Sequence, residues 1–249
     1  MDARVVVITG ASSGIGAALA LRLGARGDAV VVVARRRDVL REVAARCGAN
    51  ALVVVGDVTQ RDDVRRVVKE SLARFGGVDA WVNNAGQGIT RVPSELTDDD
   101  IDEMITVNVK SALYGMQEIL PHFKERGTGH VINVSSLLGR VPMATFRAAY
   151  SGSKHFLNSL TTNFRMEVQE THPGIQFSIV SPGVVRTEFG VNARYGGPDS
   201  RELPGSQSAE EVAEVIAGVL DSRHPDVYTA SGAKERIAGY FAAMTQDFS

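Results

Sequence analysis

The chain has 249 residues, of which 44% are hydrophobic and 22% charged, and its formal net charge is −2. This composition is typical of one packed globular domain, and the near-neutral charge excludes the strongly basic surface of most nucleic-acid binders. Cys47 is the only cysteine, so no disulfide can form within the chain, and the five histidines show no metal-ligand spacing. No apolar run approaches the roughly 20 residues of a membrane helix. We expect a single cytoplasmic domain over residues 1–249, without metal, membrane or nucleic acid.

Short β-branched runs alternate with longer helical patterns along the chain. Strands are predicted over residues 5–9, 29–34, 52–55, 80–82, 130–134, 176–180 and 227–229. Helices are predicted over residues 15–26, 37–47, 61–75, 98–126, 148–171, 208–221 and 233–244. The strands are nearly continuous apolar runs, which indicates burial on both faces of a parallel sheet. The alternation predicts a doubly wound (Rossmann) α/β fold of seven parallel strands, with helices on both faces and ligands at the carboxyl ends of the strands.

A glycine-rich turn, residues 9–16 with the sequence TGASSGIG, joins the first predicted strand to the first predicted helix. Glycines let a phosphate approach the backbone, and a helix N-terminus offers free N–H groups and a positive dipole end. The spacing G-x-x-x-G-x-G differs from the G-x-G-x-x-G fingerprint, so for this motif alone a tight turn without a ligand is the alternative. We predict a dinucleotide pyrophosphate site formed by Gly10, Ser12, Ser13, Gly14, Ile15 and Gly16.

The second predicted strand ends at Ala34 and is followed by Arg35 and Arg36. Enzymes that use NAD usually carry an acidic side chain near this point for the ribose 2′-hydroxyl, whereas an arginine suits the 2′-phosphate of NADP. A guanidinium can hold a phosphate through two parallel hydrogen bonds. We therefore predict that NADP(H) is preferred over NAD(H). The alternative is an ordinary solvated start of a helix.

Small and polar residues follow the next two strands at the same edge of the sheet. Asp57 and Val58 come after the third strand, and Asn84, Ala85 and Gly86 come after the fourth. Because ligands bind at the carboxyl ends of parallel strands, we expect these residues to line the cofactor groove. Taken alone, each could be a turn or a helix cap.

Four further side chains suggest acid–base chemistry. Tyr150 and Lys154 lie one helical turn apart and share a face, so the ammonium can stabilise the tyrosine phenolate and lower its pKa. Ser136 closes the fifth strand and can bind a substrate oxygen, and Asn108 lies inside a long apolar helix. Each has an ordinary alternative, such as a helix cap or a chance spacing, but their conjunction favours a catalytic site.

Together these motifs resemble those of the short-chain dehydrogenase/reductase family, in its compact single-domain branch, over essentially the whole chain. The matching segments include residues 83–86 (NNAG), 150–154 (YSGSK) and 181–187 (SPGVVRT). The resemblance implies that Tyr150 is the proton donor in reduction and the base in oxidation. It implies that Lys154 binds the nicotinamide ribose and lowers the Tyr150 pKa, and that Ser136 polarises the substrate carbonyl.

The resemblance also implies roles for the other residues of the site. Asn108 would hold a water that extends the proton relay, and Asp57 and Val58 would contact adenine. The nicotinamide end of the cofactor would contact Pro182, Gly183, Val185 and Thr187. The chain departs from common members in a Ser136-to-Tyr150 spacing that is one residue longer. It also has Ser13 where some NADP-preferring members carry Lys or Arg, so the phosphate prediction rests on the two arginines.

The remaining expectations concern substrate, motion and assembly. Residues 137–143 and Phe146 lie near the pocket and are mostly apolar, which favours an apolar carbonyl compound as substrate. Residues 188–207 are predicted to form a substrate lid, because a loop this long is usually functional.

Apolar residues on more than one stripe of the helices near 101–123 and 156–164 predict a homo-oligomer, with a tetramer expected. The alternatives are an NAD-linked alcohol dehydrogenase and a cofactor-sensing regulator without turnover.

Overall fold

The structure is a computed structural model, and it describes residues 3–244. Seven parallel strands form one sheet in the order β3-β2-β1-β4-β5-β6-β7. The strands are β1 Val5–Thr9, β2 Ala29–Ala34, β3 Ala51–Val55, β4 Ala80–Asn83, β5 Gly129–Val134, β6 Ile175–Ser181 and β7 Asp226–Tyr228. The order reverses direction between β1 and β4, which is the switch point where a doubly wound sheet opens its ligand crevice. The predicted fold class is therefore confirmed.

Helices cover both faces of this sheet. They are α1 Gly14–Ala25, α2 Arg37–Cys47, α3 Arg61–Phe75, α4 Asp98–Ile105, α5 Ser111–Arg126, α6 Ala148–Gln169, α7 Ala209–Ser222 and α8 Ala233–Met244. Alternate strand residues serve opposite layers: Val6 and Ile8 pack towards α1, α2 and α7, whereas Val7 packs towards α3, α5 and α6. Cys47 is buried in the first of these layers. Within residues 3–244, no helix combines the length and apolarity needed to cross a bilayer.

The predicted long helix over residues 98–126 is interrupted. Between α4 and α5, residues Thr106–Lys110 form a π-helical turn, closed by a hydrogen bond from the Ser111 N–H to the Thr106 carbonyl. The turn contains Asn108, whose side chain is buried. π-Helical turns are often found at functional sites, and this one carries a residue that the sequence singles out.

Candidate active site

A cleft of about 1440 Å3 opens at the carboxyl edge of the sheet. Its wall includes the end of each of the first six strands or the loop that follows it. Nearly all of the sequence-predicted site residues line this cleft. The exceptions are Gly16 and Asn108, which are buried just behind the wall.

The glycine-rich turn requires its glycines for two different reasons. Gly10 and Gly14 have φ values of 65° and 54°, which only glycine adopts without strain. Gly16 is needed for packing, because a Cβ there would lie 2.5 Å from the Gly10 carbonyl oxygen and from Asn84 Nδ2. Within the described chain, the Ser13 side chain does not cap α1 and the first turn of α1 has no acidic residue. This uncapped helix start fits the pyrophosphate of a dinucleotide.

Thr9 and Asn84 tie the glycine-rich turn to the end of β4. The Thr9 hydroxyl accepts hydrogen bonds from the backbone N–H groups of Asn84 and Ala85, at 3.0 and 3.1 Å. Asn84 Nδ2 in turn donates to the Thr9 carbonyl at 2.9 Å. Asn84 therefore holds two cofactor-facing loops together as well as lining the cleft. Thr9 was not among the predicted site residues, although it begins the TGASSGIG motif.

The two arginines after β2 differ in their contacts. Arg36 Nη2 donates to Ser12 Oγ at 3.1 Å and so bridges β2 to the glycine-rich turn. Arg35 is exposed at the same end of the cleft and has no ion-pair partner among residues 3–244. Asp57 follows β3, and its Oδ1 accepts hydrogen bonds from the N–H and hydroxyl of Thr59, which fixes the loop beside Val58.

Tyr150, Lys154 and Ser136 lie together at the other end of the cleft, where all three are at least 92% buried. Lys154 Nζ donates to the Val134 carbonyl at 2.9 Å and lies 5.8 Å from the centre of the Tyr150 ring. Ser136 Oγ accepts the Leu138 N–H at 3.1 Å. The end of β5 and the start of α6 thus position a hydroxyl, a phenol and an ammonium on one wall.

The side-chain amide of Asn108 forms hydrogen bonds with other groups of the protein. Its Oδ1 accepts the Gln87 N–H at 2.9 Å, and its Nδ2 donates to the Gln87 carbonyl at 3.0 Å and to Ser153 Oγ at 3.2 Å. Ser153 Oγ then donates to the Tyr150 carbonyl. Asn108 therefore links the loop after β4 to α6, on which Tyr150 and Lys154 lie. Neither Gln87 nor Ser153 was predicted, because an isolated Gln or Ser gives no pattern.

Burial dominates the pKa values of Tyr150 and Lys154. It raises the pKa of Tyr150 to about 12, an effect that hydrogen bonding to Ser136 and the charge of Arg147 only partly offset. Burial also lowers the pKa of Lys154 to about 8. The groups that shift the Tyr150 pKa here are its buried surroundings, Ser136 and Arg147, so the expected lowering by Lys154 stays a prediction; the Lys154 ammonium itself donates to a backbone carbonyl.

The segment 188–207 is attached at its middle. Arg194 forms an ion pair with the fully buried Asp100, with 2.9 Å between Nε and Oδ1, and another with Glu103. The Tyr195 hydroxyl donates to Asp100 at 3.0 Å, and Arg91 Nη1 lies 3.0 Å from the other carboxylate oxygen. Burial alone would raise the pKa of Asp100, but hydrogen bonds from Thr97, Tyr195 and Arg91 hold it at about 2. The carboxylate thus stays ionised above that pH.

Because of this attachment, we expect the predicted lid motion to be confined to residues 198–206, of which 201–205 are exposed. In limited trypsin digestion, we expect cleavage at Arg201 and protection at Arg194. Asp100→Asn removes the charge that holds Arg194, so cleavage there should rise at least several-fold. The matched control is Asp99→Asn, an exposed neighbour. Equal protection of Arg194 in both variants would contradict the proposed attachment.

Residues 4–196 match the family model described as short chain dehydrogenase. An uncharacterized oxidoreductase of Staphylococcus epidermidis is 33% identical over 217 residues, which is 87% of this chain and 90% of the relative. An uncharacterized oxidoreductase of Staphylococcus aureus is 34% identical over 210 residues, which is 84% of this chain and 89% of the relative.

Solved structures show the same similarity. An alcohol dehydrogenase from the archaeon Thermococcus sibiricus, complexed with 5-hydroxy-NADP, has a TM-score of 0.81 and 29% identity, covering 92% of this chain and 97% of that one. A 3-ketoacyl-(acyl-carrier-protein) reductase from Brucella melitensis, complexed with NADH, has a TM-score of 0.83 and 27% identity, covering 92% and 98%. With the glycine-rich turn and the Ser–Tyr–Lys wall in place, the sequence and structural matches lead to one conclusion: the chain belongs to the short-chain dehydrogenase/reductase family of oxidoreductases.

Proposed function

We propose that the chain is an NADP(H)-dependent oxidoreductase that transfers a hydride between the nicotinamide and a carbonyl or secondary alcohol carbon, without a metal. The observation that carries the proposal is the placement of Tyr150, Ser136 and Lys154 on the wall of a cleft whose other end is the glycine-rich turn. The uncapped start of α1 suits a pyrophosphate, and Arg35 suits a 2′-phosphate.

The residues have separate roles in this proposal. When bound, a reduced nicotinamide supplies the hydride. Ser136 Oγ and the Tyr150 hydroxyl hold the carbonyl oxygen, and Tyr150 gives that oxygen its proton; in alcohol oxidation the proton moves the other way. Lys154 binds the ribose hydroxyls. Asn108 keeps α6 in register with the loop after β4, and the proton relay reaches bulk water through Lys154.

The walls of the substrate end favour an apolar body for the substrate. They include Leu137, Leu138, Met143, Phe146 and Phe189. The Phe189 ring meets the Tyr150 ring edge-on, with 5.4 Å between the ring centres. The function is tested by following the absorbance of reduced nicotinamide with a panel of aromatic and aliphatic aldehydes and ketones. Failure to oxidise NADPH or NADH with every member would refute it.

Lys154 should make cofactor binding depend on pH. Because its pKa is lowered to about 8, the ammonium that binds the ribose is lost as the pH rises through that value. We expect the dissociation constant for NADPH to increase by about tenfold between pH 7 and pH 9.5, as for the loss of a charged hydrogen bond. The Lys154→Met variant should bind NADPH weakly at both pH values, and its dissociation constant should not depend on pH. Titration by fluorescence measures this, and a pH-independent constant in the unaltered protein contradicts it.

Two alternatives concern the cofactor and turnover. The solved relatives include one complexed with 5-hydroxy-NADP and one complexed with NADH, so an NAD-linked alcohol dehydrogenase is the first alternative. A cofactor-sensing regulator is the second, but the presence of Ser136, Tyr150 and Lys154 in one wall favours turnover.

A homo-oligomer, with a tetramer expected, and a cytoplasmic location remain part of the proposal. Most of the apolar residues on α5 are covered by the chain itself, so the first helix gives less support than its sequence suggests. The apolar side chains that are left exposed nearby are Ile101 on α4 and Phe156 and Met166 on α6. These residues are the candidates for contacts between subunits.

A further inference from the structure

Arg147 is a buried cation at the substrate end of the cleft. It lies immediately before α6, three residues from Tyr150, and only 8% of the residue is exposed. Nη1 donates to the Ile89 carbonyl at 3.1 Å, and among residues 3–244 no carboxylate forms an ion pair with the guanidinium. Nearby Arg91 and Arg194 both pair with Asp100. Arg147 thus differs from its neighbours in being buried without a negative partner.

The chain is built closely around this guanidinium. A Cβ on Gly88 would lie 2.7 Å from Arg147 Nη1, and a Cβ on Gly197 would lie 2.8 Å from Nη2. The same Cβ on Gly197 would lie 2.7 Å from Thr90 Oγ1. That oxygen is buried and has no hydrogen-bond partner among the described residues. The Arg147 guanidinium therefore occupies space that is left open because residues 88 and 197 are glycines.

Arg147 also faces the reacting end of the cleft. It lines the cleft together with Ser136 and Tyr150. The two side chains influence each other's titration: the charge of Arg147 works to lower the pKa of Tyr150, and the Tyr150 side chain works to raise that of Arg147. An anion bound to Arg147 would thus lie in the same end of the cleft as the carbonyl that Tyr150 is proposed to protonate.

A buried charge without a partner is costly, and proteins usually pair such a group. A planar guanidinium matches a carboxylate through two parallel hydrogen bonds. We propose that Arg147 binds a carboxylate of the substrate, so that the enzyme acts on oxo acids and hydroxy acids in preference to neutral ketones and alcohols. This inference rests on the proposed function and narrows its substrate class. The apolar walls would then hold the body of the acid, while its carboxylate is unchanged by the hydride and proton transfer.

The first test uses the unaltered enzyme. Benzoylformate and 4-oxo-4-phenylbutanoate place a carboxylate at two distances from the carbonyl, and their methyl esters are the neutral counterparts. We expect at least one acid to exceed its ester in kcat/KM by about 10- to 100-fold, the value of a charged hydrogen bond. If the enzyme reduces carbonyl compounds but favours neither acid, the inference is overturned and the proposed function stands. If it reduces none, the proposed function itself fails.

The second test assigns the preference to Arg147. Arg147→Met should remove the advantage of the acid while the ester is still reduced, and Arg147→Lys should keep part of it. Arg236→Met is the matched control, because Arg236 is an exposed cation that also lines the cleft. A preference that survives in Arg147→Met, or that falls equally in Arg236→Met, contradicts the inference. Melting temperature and NADPH affinity identify a misfolded variant, in which case Arg147→Lys and the unaltered enzyme decide the question.

Discussion

Tyr150→Phe should abolish nearly all turnover, with kcat falling by about 10²- to 10⁴-fold, while the cofactor still binds. The substitution removes only the hydroxyl that we propose as the proton donor to the carbonyl oxygen, and general acids contribute rate factors of this size. With a pKa of about 12, Tyr150 stays protonated at every ordinary assay pH, so the proton needed for reduction is always present. Oxidation needs the phenolate, so its rate should rise with pH.

The control for this experiment is Tyr114→Phe, which removes a hydroxyl from α5 on the face that contacts Arg61 of α3. It should leave kcat and NADPH affinity unchanged. Ser136→Ala should lower kcat/KM without weakening NADPH binding, since we propose that Ser136 contacts the substrate oxygen and not the cofactor. Near-normal turnover in Tyr150→Phe would remove the proposed mechanism, and it would favour the cofactor-sensing regulator.

Arg35→Asp should reverse the cofactor preference. We expect the unaltered enzyme to bind NADPH about 10- to 100-fold more tightly than NADH, because one charged hydrogen bond to a phosphate contributes about this much. An aspartate at this position repels the 2′-phosphate and can accept a hydrogen bond from a 2′-hydroxyl. The measurement is the titration of the unaltered enzyme and of the Arg35→Asp variant with NADPH and with NADH.

Arg37→Asp gives the matched control for charge. Arg37 is exposed at the start of α2 and does not line the cleft, so the same change in net charge should leave the preference for NADPH in place. A reversal in both variants would show a general field effect instead of a contact. Equal or tighter binding of NADH by the unaltered enzyme would refute the NADP(H) assignment and favour the NAD-linked alternative.

The fold could be predicted because its strands are buried on both faces. Runs such as residues 29–34 have no polar position, which fits only the centre of a layered parallel sheet. The interruption of the helix over residues 98–126 could not be predicted in this way. A single π-helical turn gives no signal in the residue types over 98–126, and only the structure shows that Asn108 in this turn contacts the Gln87 backbone.

The candidate site could be predicted where several unusual residues lie close together in the sequence, as in the glycine-rich turn and the Tyr–Lys pair. It was not predictable where a residue acts through partners distant in sequence. Arg147 is a single basic residue in the sequence, and only the structure reveals that it is buried without a carboxylate partner among residues 3–244. Spacing indicates that Tyr150 and Lys154 are neighbours but not how much water they lose, and burial is the largest cause of the raised Tyr150 pKa.

The π-helical turn at Thr106–Lys110 sets the angular relation between α4 and α5. In an α-helix, successive residues are about 100° apart around the axis, so one residue more or less rotates everything beyond it by that angle. α4 directs Asp100 towards Arg194, whereas α5 directs Met116 and Phe123 into the sheet layer. One straight α-helix of the same sequence could not present both sets of side chains in these directions. The number of residues in this turn is therefore itself a determinant of how α4, which holds segment 188–207 through Asp100, is oriented relative to α5 in the core.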